Sequence, residues 1–389
     1  METVIIDNKT DFRSKTGLRV KIYRSITEVN EGAWDAVAGE NRIVCSHKFM
    51  ETLEKSGYGD GRCYYPVVYD GDEIIAHTSV YLMSTEMDLC AQGTLKNIIG
   101  TVRGKWKGFF ILRSLECGPP ISAGNTISFK SGIKRVEVLA LLCDAIEGLA
   151  KSLGISFILF RDFDDEETKF YDLLKERGYM ELHNLPTAEL KIRWKTFNEY
   201  LDSMRSNYRH KITKRMDTFV KENISLQVVK NFSDNAPLLK RLYDNVYDQA
   251  KEIKRERLPE SFFQNLNKYL GEKAVIISAV KDQKLIGYML LLKSGKTLIS
   301  KFPGLDYNCN KEYYTYFNLF YKSIELAIET GMDSLDMSIT TLAPKKDMGA
   351  SIIPLSMYMK HSNPFFNKVI PIIFNNMTPQ DTEPRNVFK

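Results

Sequence analysis

Residues 316–337 read YFNLFYKSIELAIETGMDSLDM. The stretch predicts an amphipathic helix, a glycine stop at Gly331 and a short apolar strand. Residues 137–160, EVLALLCDAIEGLAKSLGISFILF, predict the same order around Gly154. Upstream of each lies a hairpin pattern. Residues 66–83, PVVYDGDEIIAHTSVYLM, turn at Asp70-Gly71, and residues 274–293, AVIISAVKDQKLIGYMLLLK, turn around Lys281-Asp282-Gln283, with a third strand expected at 296–303. Aligning Ile75 with Ile286 and Gly154 with Gly331 requires a longer insertion in the first copy, within 84–132. The chain therefore reads as an α+β protein of two imperfect pseudo-repeats, each with antiparallel strands, a helix and a closing strand. Because this order is common in α+β domains, coincidence is the competing explanation.

Between the copies, residues 196–270 read as a helical joining segment. The expected domains are 1–195 and 196–389, the second comprising this segment and the second copy. Thr196 or Asn198 is placed to cap the first helix, with Glu199 completing a capping box with Thr196. Tyr200, Met204, Tyr208, Ile212, Met216 and Phe219 form one face, and Arg205, Arg209, His210, Lys211, Lys214 and Arg215 the other. A basic face is either a solvated helix surface or an anion site whose contacts weaken with salt.

Three stretches carry a family resemblance. They are W-K-T-F-N-E-Y-L (194–201) followed by R-x-x-x-R-H-K-I-x-K-R (205–215); Asp336-Met337-Ser338 through Lys345, Lys346, Gly349 and Ala350; and Ser46-His47-Lys48-Phe49-Met50 before an amphipathic helix. Over roughly residues 20–370 the chain resembles the GNAT-like acyltransferase superfamily, and within it the double-GNAT branch related to the Fem aminoacyl and peptidyl transferases. The resemblance implies a tandem GNAT-like fold and transfer of an acyl or aminoacyl group from a thioester or a charged tRNA to an amine. One departure stands out. The Q/R-x-x-G-x-G/A loop that cradles the coenzyme A pyrophosphate in ordinary members has no counterpart in LDYNCNKEYYTYFNL (305–319), which contains no glycine; Gly124 and Gly132 in the first copy do not match it either.

Amide formation needs a neutral amine, a polarised carbonyl and close positioning of the two. The segment SLDMSITTLAPKKDMGA (334–350) offers groups of those kinds where a central strand would end. Asp336 is the expected proton acceptor or amine-orienting group, Ser338, Thr340 and Thr341 hydrogen-bond an acceptor, and Lys345 or Lys346 holds a phosphate or carboxylate. The competing reading makes Asp336 a turn cap and the lysines solvated. His210 is a second candidate base, because histidine titrates near neutrality. Arg205, Arg209 and Lys211 are candidate donor-binding residues, and one of Tyr313, Tyr314 and Tyr316, taken as Tyr314, a pocket residue. Cys117 lacks an adjacent base that would make it a nucleophile, and Arg161-Asp162 reads first as a loop-end ion pair and second as a binding pair.

Composition limits the alternatives. The 389 residues carry a formal charge of +5, which permits an anionic partner without demanding one. Six cysteines at 45, 63, 90, 117, 143 and 309 form no CxxC pair, and the five histidines are scattered, so no metal site is expected. No secretory signal or 18-residue apolar run is evident, so a cytoplasmic protein with reduced thiols is expected. The stretch NPFFNKVIPIIF (363–374) reads first as docked on the body and second as a peripheral contact with the inner membrane face, a role that Pro364 and Pro371 weaken; TPQDTEPRNVFK (378–389) reads as a flexible tail. The expected function is N-acyl transfer from acyl-CoA or an acyl carrier protein, used as co-substrate with no tightly bound cofactor, to an amine acceptor. A charged tRNA is the alternative donor, a non-catalytic acyl-carrier or lipid-binding protein the alternative of another class, and no DNA partner is expected.

Overall fold

The computed structural model describes residues 3–6, 9–13, 17–58, 63–86, 111–121, 124–168, 170–250, 257–368 and 383–389. Most of the insertion expected within 84–132 lies outside them. The strands are β1 (Thr3–Ile6), β2 (Lys9–Arg13), β3 (Arg19–Tyr23), β4 (Cys63–Asp70), β5 (Glu73–His77), β6 (Val80–Glu86), β7 (Ile111–Cys117), β8 (Ser128–Phe129), β9 (Phe157–Phe163), β10 (Met180–Lys191), β11 (Ser225–Val229), β12 (Ala274–Lys281), β13 (Lys284–Ser294), β14 (Thr297–Leu305), β15 (Ser334–Asp336) and β16 (Ser351–His361). The helices are α1 (Glu31–Ala38), α2 (His47–Lys55), α3 (Arg135–Ser152), α4 (Asp165–Thr168), α5 (Asp172–Glu176), α6 (Phe197–Ser203), α7 (Ser206–Lys221), α8 (Ala236–Gln249), α9 (Glu260–Leu270), α10 (Asn310–Tyr313), α11 (Thr315–Glu329) and α12 (Leu342–Asp347).

The chain forms two compact units that are not contiguous in sequence. One comprises Met1–Ala38, Gly59–Leu185 and Pro354–Gln380; the other comprises Gly39–Tyr58, Pro186–Ile353 and Asp381–Lys389. This grouping differs from a single cut after residue 195, because α2 belongs to the second unit and most of β16 to the first.

In the first unit the strand order is β1-β2-β3-β4-β6-β7-β9-β16, with β5 pairing β4 and β8. β7 and β9 run parallel, and β16 closes against β9 with Ser356 opposite Phe163. The apolar stripe of α3, including Leu142 and Ile146, packs into a core with Val68, Leu115 and Phe160. In the second unit the order is β10-β15-β14-β13-β12-β11. The α11 stripe (Leu319, Ile324) packs with Ile277, Leu291, Leu298 and Leu335. Both helices stop where expected: Gly154 and Gly331 take φ of +66° and +62°, and the amides of Ile155 and Met332 reach back to Ala150 O and Ala327 O.

The repeat is longer than the sequence pattern suggests. Each copy starts with a strand and two helices, β3-α1-α2 in one and β11-α8-α9 in the other. Thus the stretch 196–270 contains a strand, Ser225–Val229, antiparallel to β12. The helix expected from Thr196 onward is also interrupted. Thr196 caps α6 by accepting from the Glu199 amide, and Glu199 accepts from the Lys195 amide. Met204 and Arg205 are then extended, and Met204 bridges to Phe388.

Candidate functional site

β15 is central in the second unit, between antiparallel β10 and parallel β14. Its pairing with β14 covers only Thr297–Ile299 against Ser334–Asp336, while β14 continues to Leu305. A bulge interrupts the other edge of β14: Lys301 faces Leu290 and Gly304 faces Tyr288, so Phe302 and Pro303 together oppose the single residue Met289, with Phe302 at φ +47°. Gly304 is required here, since a Cβ would lie 2.1 Å from the Tyr288 ring.

The main candidate residues converge at the end of β15. The Asp336 carboxylate Oδ1 accepts from the Ser338 amide at 2.6 Å and from Thr187 Oγ1 at 3.0 Å. Ser338 Oγ donates to Ser300 O at 2.7 Å. Ser338, Thr340 and Thr341 all have left-handed backbones, with φ of 63°, 64° and 49°, so the strand leaves the sheet through a strained turn. Lys345 holds that turn: its Nζ donates to Ser338 O, Ile339 O and Thr340 O at 2.9, 2.8 and 2.7 Å. Neither lysine is solvated. Lys345 and Lys346 are 3% and 2% exposed, and Lys346 Nζ donates to Glu383 O.

The basic face is a separate group on α7. His210 and Lys211 are exposed, and the bonds of Asp336 and Ser338 do not involve His210. Arg209 and Lys211 sit 3.8 and 3.9 Å from Asp202 and Asp347. Arg205 takes part in fastening the terminal residues, donating from its amide to Val387 O and from Nε to Phe388 O. Arg215 lies on the Phe317 ring at 3.6 Å, with Tyr314 at 5.7 Å and a bond to the Tyr321 hydroxyl. Tyr313 and Tyr316 pack on the core, whereas Tyr314 takes a left-handed φ of 55° directly before α11. The first turn of α11 is closed by its own chain, because Asn310 Oδ1 accepts from the Tyr316 amide.

Residues 383–389 are docked, contrary to the flexible-tail expectation. Val387 is 1% exposed, Phe388 packs on Trp194 and Tyr200, and Arg385 pairs with Asp347. Burial of Tyr200, whose hydroxyl donates to Met348 O, pushes its pKa well up.

Several residues were not singled out from sequence. Thr187 orients Asp336; Lys301, a 6% exposed cation and the lone charge of the TLISKFPGL strand, sits at the bulge; Ser300 Oγ is buried without a hydrogen-bond partner. The lone charge in a strand was a usable signal for Lys301 alone. In the first unit, Arg161 and Asp162 form an ion pair at 3.7 Å as expected, but they lie buried within β9, at 4% and 5% exposure, rather than at a loop end. Arg161 Nε lies 3.0 Å from Glu116, which also accepts from Tyr81 and Ser114, and Arg161 Nη2 donates to Pro119 O. Cys117 is in the core, 3.1 Å from Thr78 Oγ1. Among the described residues no group of three or more His, Cys, Asp or Glu is placed to hold a metal.

Comparison with known proteins agrees with this architecture. Residues 115–339, more than half of the chain, match the FemAB-like family, described as peptidoglycan biosynthesis/recognition. A Mycobacterium tuberculosis protein provisionally named 8-amino-7-oxononanoate synthase 2 is 23% identical over 324 residues; the match covers 81% of this chain but only 42% of that longer protein. The crystal structure of FemX is similar with a TM-score of 0.56 at 13% identity, covering 95% of this chain and 100% of FemX. A tandem GNAT protein from the clavulanic acid biosynthesis pathway gives 0.52 at 11% identity, covering 89% and 99%. At these identities the two structures show the fold, a tandem GNAT-like one.

Proposed function

The chain belongs to the FemAB-like family, and on that premise we propose that it is a transferase joining an acyl or aminoacyl group to an amine. The observation that carries the proposal is the divergence of β14 from β15 beside Asp336. In this reading the donor carbonyl lies along the edge of β14 at Ser300–Phe302, where a main-chain N–H meets the developing oxyanion. Asp336 takes the ammonium proton or orients the amine, and Ser338 and Thr340 contact the acceptor. The hydrogen bonds from Ser338 N and Thr187 Oγ1 hold the Asp336 carboxylate in place at the end of β15. Lys345 acts by fixing the turn that carries Ser338 and Thr340.

Of the thioester donors, an acyl carrier protein suits the second unit better than acyl-CoA. A pyrophosphate cradle needs open amides at a helix start, and Asn310 already occupies that of α11. The second reading is an aminoacyl-tRNA donor. It is favoured by the family and by the exposed His210 and Lys211 beside Arg205 and Arg209 on α7, which suit a polyanion. The synthase activity named for the longer relative is not proposed for this chain.

The deciding experiment incubates the protein with an amine acceptor mixture and, separately, acetyl-CoA, long-chain acyl-CoA, an acylated carrier protein and aminoacyl-tRNA, with mass spectrometry of donor and product. Amide formation with one donor, lost in Asp336→Asn, supports transfer and identifies the donor. Donor retention without any product supports a binding protein, and neither retention nor product with any donor sinks the transferase reading.

A further inference from the structure

Directly after β16, Pro364–Lys368 form one turn of helix fastened to the first unit. Asn363 Oδ1 accepts from the Phe365 amide at 2.9 Å, and the Asn363 amide donates to His361 Nδ1 at 2.9 Å. Asn367 ties the turn down twice, accepting from the His361 amide at 2.8 Å and donating to Gly178 O at 3.0 Å. The His361 ring wedges between Phe157 and Phe366, at 4.4 and 5.1 Å. Yet the two rings this scaffold presents stay in solvent: Phe365 is 67% exposed and Phe366 47%, with their centroids 5.6 Å apart. The other large exposed apolar side chains among the described residues, Val136, Val220, Val228 and Tyr307, are far apart in sequence and not paired in this way.

We propose that this turn is an interfacial anchor for an anionic lipid surface. The fixed turn leaves most of Phe365 and about half of Phe366 in water, and the pair is explained by something that covers it. Charge selects the cover. Residues 360–380 carry Lys360, His361 and Lys368 and not one Asp or Glu. Lys360 pairs with Glu147, while Lys368 is exposed next to the rings. Aromatic rings followed closely by an exposed lysine suit the boundary between acyl chains and anionic headgroups. No described helix is long and apolar enough to cross a membrane, so the contact is peripheral, weak and reversible. It does not depend on the transfer reaction proposed above.

The test is co-sedimentation of the full chain with vesicles of phosphatidylcholine alone, or mixed with phosphatidylglycerol, at low and high salt. The variants are Phe365→Ser/Phe366→Ser, which removes exposed rings and leaves the core intact, and Lys368→Glu, which changes only charge. The proposal expects binding to the anionic vesicles alone, weakened about tenfold by each variant and by salt. Absence of binding, equal binding to neutral vesicles, or binding unchanged by the phenylalanine variant would overturn it. So would a concentration-dependent dimer that the phenylalanine variant abolishes without vesicles present, which would assign the rings to a second copy of this chain.

Discussion

Replacing Lys345 with methionine keeps the volume of a buried side chain and deletes its ammonium. Three carbonyls, Ser338 O, Ile339 O and Thr340 O, then lose a donor at 2.7–2.9 Å. Hydrogen bonds from a charged donor contribute about 1.5–3 kcal/mol each, a gross of roughly 5–9. Burying the ammonium costs several kcal/mol of desolvation, so the net loss expected is about 2–4 kcal/mol. In a unit of this size that lowers the melting temperature by roughly 4–16 °C. The same variant should speed hydrogen exchange at the amides of 338–342, because left-handed backbones at Ser338, Thr340 and Thr341 have lost their tether. Thermal unfolding and exchange mass spectrometry measure both effects. A melting temperature within a degree of wild type, with exchange at 338–342 unchanged, would refute the tether. If such a variant raised KM alone, Lys345 would be a ligand-binding lysine, as its place in the sequence first suggested.

Three further outcomes follow from the geometry. Asp336→Asn should lower the rate of amide formation by about 10²–10⁴-fold while leaving thermal stability within a few degrees; a rate within threefold of wild type would remove Asp336 from the chemistry. Gly349→Ala places a Cβ 2.2 Å from the Phe388 ring at a φ of +90°, so residues 383–389 should detach and become protease-sensitive, measured by limited proteolysis. Tyr200 and Tyr288 are buried with raised pKa values, which stabilises the fold fully below the ordinary tyrosine range. Above about pH 10 only the unfolded chain ionises these rings, so stability should fall by about 1.4 kcal/mol per pH unit for each of them; Tyr200→Phe should reduce that slope in alkaline denaturant titrations.

What could be read from the sequence was local and periodic. Gly154 and Gly331 mark the helix ends because only a left-handed residue finishes them cheaply, and the hairpin at Asp282-Gln283 forms where expected, with φ of 47° and 62°. β11 was missed because its residues are mostly half-buried or exposed, so SLQVV carries no clean alternation. The end of β15 was located from its polar residues and lysine pair, but their roles depended on burial. Lys345 and Lys346 look solvated in a list of residues and are enclosed in the fold, a distinction set by the 338–340 turn and by Glu383, distant in sequence. Likewise the aromatic residues Trp194 and Tyr200 form a seat whose occupant, Phe388, lies almost two hundred positions away.

The division of β10 and β16 between units has a consequence for synthesis. Besides β7, the partner of β9 in the first unit is β16, which ends at His361, and the second unit counts Gly39–Tyr58 among its own residues. A ribosome that has made the first 195 residues has not yet made β16, which this sheet needs beside β9. Until residues 351–361 have emerged, β9 is paired only with β7, so the sheet of the first unit is completed late in synthesis. A gene cut at the apparent midpoint would deliver two fragments that each lack part of their own sheet or core.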